Sequence, residues 1–260
     1  MLWMSLNNWS LIASRKFIGF GNFTKAWHDS QFWASLGFTL KYTLWITPIL
    51  MILGYLVALL TATNTPLRKF TRAVVFVPVV IGLGSSSLLW YWLFNYDYGL
   101  INRALIDTGV ASSPVLWFGE DATRATWAVI ASIVWKVLGF GMILFVAAIQ
   151  AIPAEIGEAA RIDGATYWQR ARRIVLPLTF RTVLLVTLIS VIGSLLAFDQ
   201  FYIMTAGQPG NLTATSVFFI YLNSFPYLKL GYGAALSLIL AALVLTCTIL
   251  QMLLSRRFSS

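Results

Sequence analysis

Residues 152–177 read IPAEIGEAARIDGATYWQRARRIVLP, a polar, Arg-rich stretch set between two strongly apolar runs. Its charges, among them Glu158, Arg161, Asp163, Arg170, Arg172 and Arg173, cannot rest in hydrocarbon, where each costs about 2.5–3.5 kcal/mol on insertion scales. The stretch is therefore a loop in water, built as a surface for a partner. Its local chemistry predicts two short helices. Pro153 suits a first helical position, and residues 154–162 are good helix formers with their acids early, where they meet the positive end of the helix dipole. Gly164 ends that helix, because glycine turns the chain through positive φ at little cost. A second helix is predicted over residues 165–175, and Pro177, which lacks a backbone N–H, separates it from the next apolar run. The predicted unit is a helix-turn-helix knuckle. Small Ala159 and Ala160 allow close approach to a partner groove, while Glu158 and Asp163 offer acceptors to basic groups.

Outward from the knuckle the chain is apolar. Of its 260 residues 59% are hydrophobic and 10% charged, with a mean hydropathy of +0.79. A soluble domain carries about a quarter charged residues, so this is an integral membrane protein. Five runs reach the roughly 20 residues that a helix needs to cross a core of ~30 Å. They cover residues 42–62, 73–94, 126–150, 182–204 and 232–254. None shows the period-2 alternation of a barrel strand, so the predicted fold is an all-α polytopic membrane protein with five transmembrane helices.

The net charge of +9 follows this topology rather than marking a nucleic-acid surface. Arg68, Lys69 and Arg72 lie between the first two spans, Arg161, Arg170, Arg172, Arg173 and Arg181 between the third and fourth, and Arg256 and Arg257 at the end. By the positive-inside rule these segments are cytoplasmic. The other loops mix Arg15, Lys16, Lys25, Arg103, Arg124 and Lys229 with Asp29, Asp97, Asp107, Glu120 and Asp121, and belong outside.

Residues 1–32 follow no span yet fall on the external side. The opening MLWMSLNNWSL is too short to cross and lacks the basic start of a signal peptide, so it is read as the remnant of a truncated first span. Residues 95–125 predict an external loop with a short helix at LINRALI and with Trp117 and Phe118 at headgroup level. Residues 205–231 open on the turn formers Gly207, Pro209 and Gly210, and the apolar residues 216–222 predict a re-entrant or interfacial helix.

The knuckle resembles the EAA loop of permease subunits of binding-protein-dependent ABC importers: Glu158-Ala159-Ala160, three residues, Gly164, nine residues, Ile174, one residue, Leu176-Pro177. A basic helix lying on anionic headgroups is the competing reading of its arginines, and the full spacing speaks against it. WYWLFNYDYGLINRAL from Trp90 and FDQFYIMTAGQPGNLTATSVFFIY from Phe198 are similar to the sugar-type permeases of the maltose and glycerol-phosphate uptake group. Two features depart from that pattern, the missing first of six spans and Gln208 where glycine is usual. The resemblance implies a permease domain over residues 33–260 working with two ABC ATPase subunits, a second permease subunit, paralogue or copy, and an extracytoplasmic sugar-binding protein. It also implies that Glu158, Ala159, Ala160, Arg161, Asp163, Gly164, Ile174, Leu176 and Pro177 couple to the ATPase. With no G-x-x-x-x-G-K-[ST] loop of its own, the chain is not expected to be an enzyme, and ATP hydrolysis belongs to the partner.

Ionisable residues inside the spans face a bundle interior or an aqueous path. Lys136 in the third span and Asp199, Gln200 and Tyr202 at the outer end of the fourth are the candidate pathway residues. Lys136 reads as a sugar-hydroxyl contact, as a partner for Asp199, or as an interhelical contact. Trp90, Trp92 and Tyr221 read either as sugar-stacking rings or as packing and interfacial anchors. Gly139 and Gly141 suit close helix packing. A lone Cys247 and a lone His28 suggest neither disulfide nor metal, and no cofactor is expected. An ion-coupled secondary transporter or channel is the alternative function. It would need an internal repeat or paired broken helices with ion ligands, which the sequence does not display clearly.

Overall fold

A computed structural model describes residues 1–10 and 15–257. The chain opens with one turn of helix, α1 (Leu2–Ser5), and a short antiparallel pair, β1 (Asn7–Asn8) with β2 (Lys16–Phe17), before α2 (Gly21–His28). The Asp29 carboxylate accepts from the N–H groups of Gln31 and Phe32 and starts α3 (Ser30–Thr61). Thr65 caps α4 (Pro66–Val80), whose first position is a proline that needs no partner for its nitrogen. Next come α5 (Leu83–Leu93) and α6 (Leu100–Asp107), the short helix expected in the second loop. Asp121 caps α7 (Ala122–Gln150) through the N–H groups of Thr123 and Arg124. After it stand α8 (Ala154–Ile162), α9 (Tyr167–Arg170), a π turn over Ala171–Val175, α10 (Leu176–Leu178) and α11 (Phe180–Leu195). The chain closes with α12 (Asp199–Met204), α13 (Ser216–Ser224) and α14 (Leu230–Arg257). The side chains of Arg256 and Arg257, read as part of the basic pattern, lie outside the described residues.

Three helices are long and apolar enough to cross a membrane on their own, α3, α7 and α14, and two bent pairs raise the number to as many as five: α4 with α5, and Tyr167–Leu178 with α11, the first arm of the second pair being a knuckle helix that precedes the predicted span 182–204. The pair α4 and α5 bends by 101°. The run 73–94 is therefore not one straight helix: Pro78 removes a ladder donor in the last turn of α4, and Ile81 and Gly82 are extended. The run 182–204 divides as well. It ends as a helix at Leu195, and the carbonyl of Ala197, freed by the break, accepts from the fully buried Thr215 hydroxyl at 2.7 Å. A polar partner from another segment makes such a break tolerable away from water.

The core follows the helix pairs. Tyr42, Ile46 and Leu50 of α3 pack with Val129, Ile130 and Ile133 of α7 and with Phe201 and Met204 of α12. Trp117 and Phe118 pack on Phe94 at ring separations of 4.8 and 5.9 Å. The buried Asn102 holds them there, accepting from the Trp117 indole N–H at 2.9 Å and from the Val115 N–H. A second cluster joins Ala58 of α3, Met142, Phe145 and Val146 of α7 and Val186 of α11. Gly139 lets α4 lie directly on α7, since a Cβ there would collide with the Val75 carbonyl and stand 2.8 Å from the Phe76 Cα. The N-terminal segment rides on the start of α14. Asn22 donates to the carbonyls of Ser5 and Asn7, the Gly231 N–H donates to Trp9, and the Tyr232 hydroxyl lies 2.6 Å from Asp29.

Candidate functional site

The knuckle is built as two short helices about a glycine turn. Helix α8 ends in a Schellman closure: the Gly164 N–H donates to Arg161 at 3.0 Å and the Ala165 N–H to Ala160 at 2.9 Å. Gly164 has φ of +78°, the region that glycine enters without strain. The second helix begins at Tyr167, not Ala165. Thr166 and Gln169 form a capping box in which each side chain accepts from the other's backbone, at 2.8 and 3.4 Å. That T-x-x-Q signal stands in the sequence and went unread. Nor does Pro177 separate the helix from the next span. The ladder widens to a π turn before it, because Pro177 cannot donate to the Arg173 carbonyl, and the helix runs on to Leu178. The separation comes at Thr179, where the axis turns by 72° into α11.

Glu158, Ala159, Arg161, Asp163 and Gly164 are exposed over the last turns of α8 and the glycine turn that ends it, with Leu176 and Pro177 exposed at the exit and Ile174 half-buried. Ala160, read as part of the docking face, is 8% exposed and turns into the knuckle. Two surface residues escaped the sequence reading: Ile162, 87% exposed, and Trp168, 61% exposed and set edge-on against the Tyr167 ring. Large apolar side chains displayed on a polar loop mark a contact surface.

A second feature lies within the bundle. A cavity of about 250 Å³ opens where α3, α7, α11 and the break before α12 meet. Its wall is mostly apolar, with a few polar groups, Tyr42, Ser190, Ser194, Asp199 and Gln200. An apolar lining with sparse orienting groups is the general make-up of small-molecule pockets. Asp199 stands at the first position of α12, and the buried Gln200 side chain reaches the Tyr42 hydroxyl. Tyr202, 42% exposed, stacks on the wall residue Phe198 with centroids 5.3 Å apart and planes 12° apart, and Tyr221 meets both rings. Trp90, in contrast, packs against Trp135 and Phe94. Lys136 is 6% exposed and its ammonium donates to the Val79 carbonyl at 2.8 Å, across the gap to α4. The structure thus joins Asp199 and Gln200 at one cavity, seats Tyr202 beside it, and gives Lys136 a backbone partner.

Comparison with known proteins agrees with this architecture. The trehalose/maltose transport system permease protein MalF of Thermococcus litoralis is 33% identical over 255 residues, 98% of this chain and 85% of that protein. The lactose transport system permease protein LacF of Rhizobium radiobacter is 32% identical over 247 residues, 93% of this chain and 82% of its own. Among solved structures, a bacterial alginate ABC transporter in complex with alginate pentasaccharide-bound periplasmic protein superposes with a TM-score of 0.85 at 24% identity, covering 94% of this chain and 84% of that one. An amino acid ABC transporter with histidines gives 0.59 at 20% identity, covering 90% and 97%. These last two establish the fold. The family model of binding-protein-dependent transport system inner membrane components matches residues 30–260, and the chain, a multi-pass membrane protein with a two-helix knuckle between spans, belongs to that family.

Proposed function

We propose that this chain is one permease subunit of an ATP-driven importer that moves a carbohydrate, an oligosaccharide or related polyol phosphate, across the bacterial inner membrane. The observation that carries the reading is the knuckle: a Schellman turn at Gly164 closes a helix whose Glu158, Arg161 and Asp163 are all exposed between two apolar segments, with Ile162 and Trp168 displayed nearby. Relatives named for trehalose, maltose and lactose transport support the substrate class.

On this reading the knuckle and the C-terminus face the cytoplasm. Two separate ATPase subunits dock on the knuckles of this chain and of a second permease, and a sugar-binding protein delivers substrate from the other side. Glu158, Ala159, Arg161, Asp163 and Gly164 form the docking turn, Ala160 supports it from within, and Ile174, Leu176 and Pro177 carry its motion toward α11. Closure of the ATPase dimer shifts the pair of permeases between inward-open and outward-open states as rigid bodies. The path runs by the cavity, where Asp199 and Gln200 supply hydrogen bonds to hydroxyls and Phe198 and Tyr202 supply faces on which a sugar ring stacks. Lys136 acts on this path by holding its wall.

Purification of the tagged chain from its own cells in mild detergent, with stoichiometric partners identified by mass spectrometry, tests the proposal. The expected result is an ATPase and a permease with the wild type, and loss of the ATPase with Gly164→Val, whose branched side chain cannot take a φ of +78° without strain. Recovery of the chain alone, stable and unaltered by the substitution, would sink the reading.

A further inference from the structure

Helix α3 ends at Thr61, and a helix end leaves its last four carbonyls without partners inside the helix. Side chains from the flanks of the knuckle fill two of the carbonyls at this end, those of Leu59 and Ala62. The Tyr167 hydroxyl donates to the Leu59 carbonyl at 2.9 Å, and the Gln150 amide donates to the Ala62 carbonyl at 2.6 Å and to the Asn64 side chain at 3.3 Å. At the exit, where the chain bends into α11, the Thr179 hydroxyl meets the Tyr55 hydroxyl at 2.8 Å. Helix α3 is thus tied to the helix that enters the knuckle, to the knuckle itself and to the helix that leaves it. The same helix walls the cavity with Tyr42, Ile46 and Leu50. From Leu59 to Tyr42 it runs about 25 Å at the α-helical rise.

We propose that Tyr167 is a positioning residue that, with Gln150, makes the knuckle and the end of α3 one rigid lever, so that movement imposed at the knuckle arrives at the cavity wall. The inference rests on the importer reading. Tyr167 needs no contact with the ATPase to act in this way. Its hydroxyl closes an orphan carbonyl of α3, and its ring holds the exposed Trp168 edge-on at 5.5 Å.

The test uses the complete complex, purified with its ATPase, carrying Cys247→Ser and spin labels at Leu60→Cys and Glu155→Cys, both exposed and neither placed in the docking turn. On trapping with ATP and vanadate, the Leu60–Glu155 distance should keep its mean and width in the otherwise wild-type complex. Tyr167→Phe retains the ring and loses the hydroxyl. It should broaden that distribution while the ATPase still co-purifies, and lower binding-protein-stimulated hydrolysis by about two- to tenfold, the effect of one hydrogen bond. The double variant Tyr167→Phe/Gln150→Leu should broaden it further. A wild-type distance that shifts on trapping, or variants that assemble and leave the distribution unchanged, would overturn the lever. Absence of any co-purifying ATPase from the wild type would instead overturn the importer reading, and the lever with it.

Discussion

Lys136 shows how one side chain can answer a question that its sequence position leaves open. A lysine amid apolar residues reads equally as a substrate contact, as half of an ion pair or as a helix-to-helix tie. In the fold its ammonium lies 2.8 Å from the carbonyl of Val79, in the last turn of α4. A cation there complements the negative end of the helix dipole and fills an acceptor that the bend leaves open. Lys136→Met should therefore lower stability by about 1–3 kcal/mol, the cost of a buried carbonyl left unpaired. A fall in the thermal unfolding midpoint in detergent checks this, and an unchanged midpoint would show that the tie is dispensable. Asp121 allows a test of sign. Backbone N–H donors from Thr123 and Arg124 hold its carboxylate below the ordinary range. A depressed folded value means that the cap stabilises fully above about pH 4, the unfolded carboxylate value, and is lost as pH falls through the folded one. The difference in unfolding midpoint between wild type and Asp121→Ala should hold steady near neutrality and shrink in acid. A difference that grows in acid would contradict the cap. At this scale the sequence marked Lys136 as unusual but not its partner, because that partner exists only where α4 stops.

Elements were legible where the local code is strong and illegible where hydropathy runs on. Gly164 announced its turn, and α6 was plain from LINRALI. The start of α9 went unread although Thr166 and Gln169 spell its capping box. The breaks at Ile81–Gly82 and at 196–198 interrupt apolar sequence, so a hydropathy reading fuses each with its neighbours. Only the partners that satisfy the freed carbonyls, Lys136 in one case and Thr215 in the other, reveal them. Helix packing offers a paired prediction. Gly139→Ala drives a Cβ into the Val75 carbonyl and should cost about 1–3 kcal/mol, the range for overpacking. Gly193→Ala, also in a helix, meets nothing within 4 Å and should gain up to about 1 kcal/mol from helix propensity. Thermal unfolding of both variants decides the matter. Equal effects would mean that α4 can retreat from α7 freely.

At the scale of the whole molecule, the cavity and the knuckle are separate features joined by α3 and α11, and they should be separable by mutation. Residue Gly193 lies in the cavity wall on α11, and no atom stands within 4 Å of where its Cβ would be. An indole placed there has room to enter the space of about 250 Å³ without displacing the helices that form it. The knuckle sits at the far end of α11, beyond the bend at Thr179, and its hydrogen bonds to α3 do not involve the cavity lining. On the proposed importer reading, Gly193→Trp should therefore leave the purified complex intact, with its ATPase present in normal amount, while uptake of labelled oligosaccharides into cells falls at least tenfold, about 1.4 kcal/mol or more in barrier height. A conservative Gly193→Ala control should transport normally, since a methyl group fills little of the space. Normal uptake by Gly193→Trp would place the path elsewhere, against the second permease, and would remove Asp199 and Gln200 from it. Loss of the ATPase from the complex would show that the cavity and the knuckle are one cooperative unit.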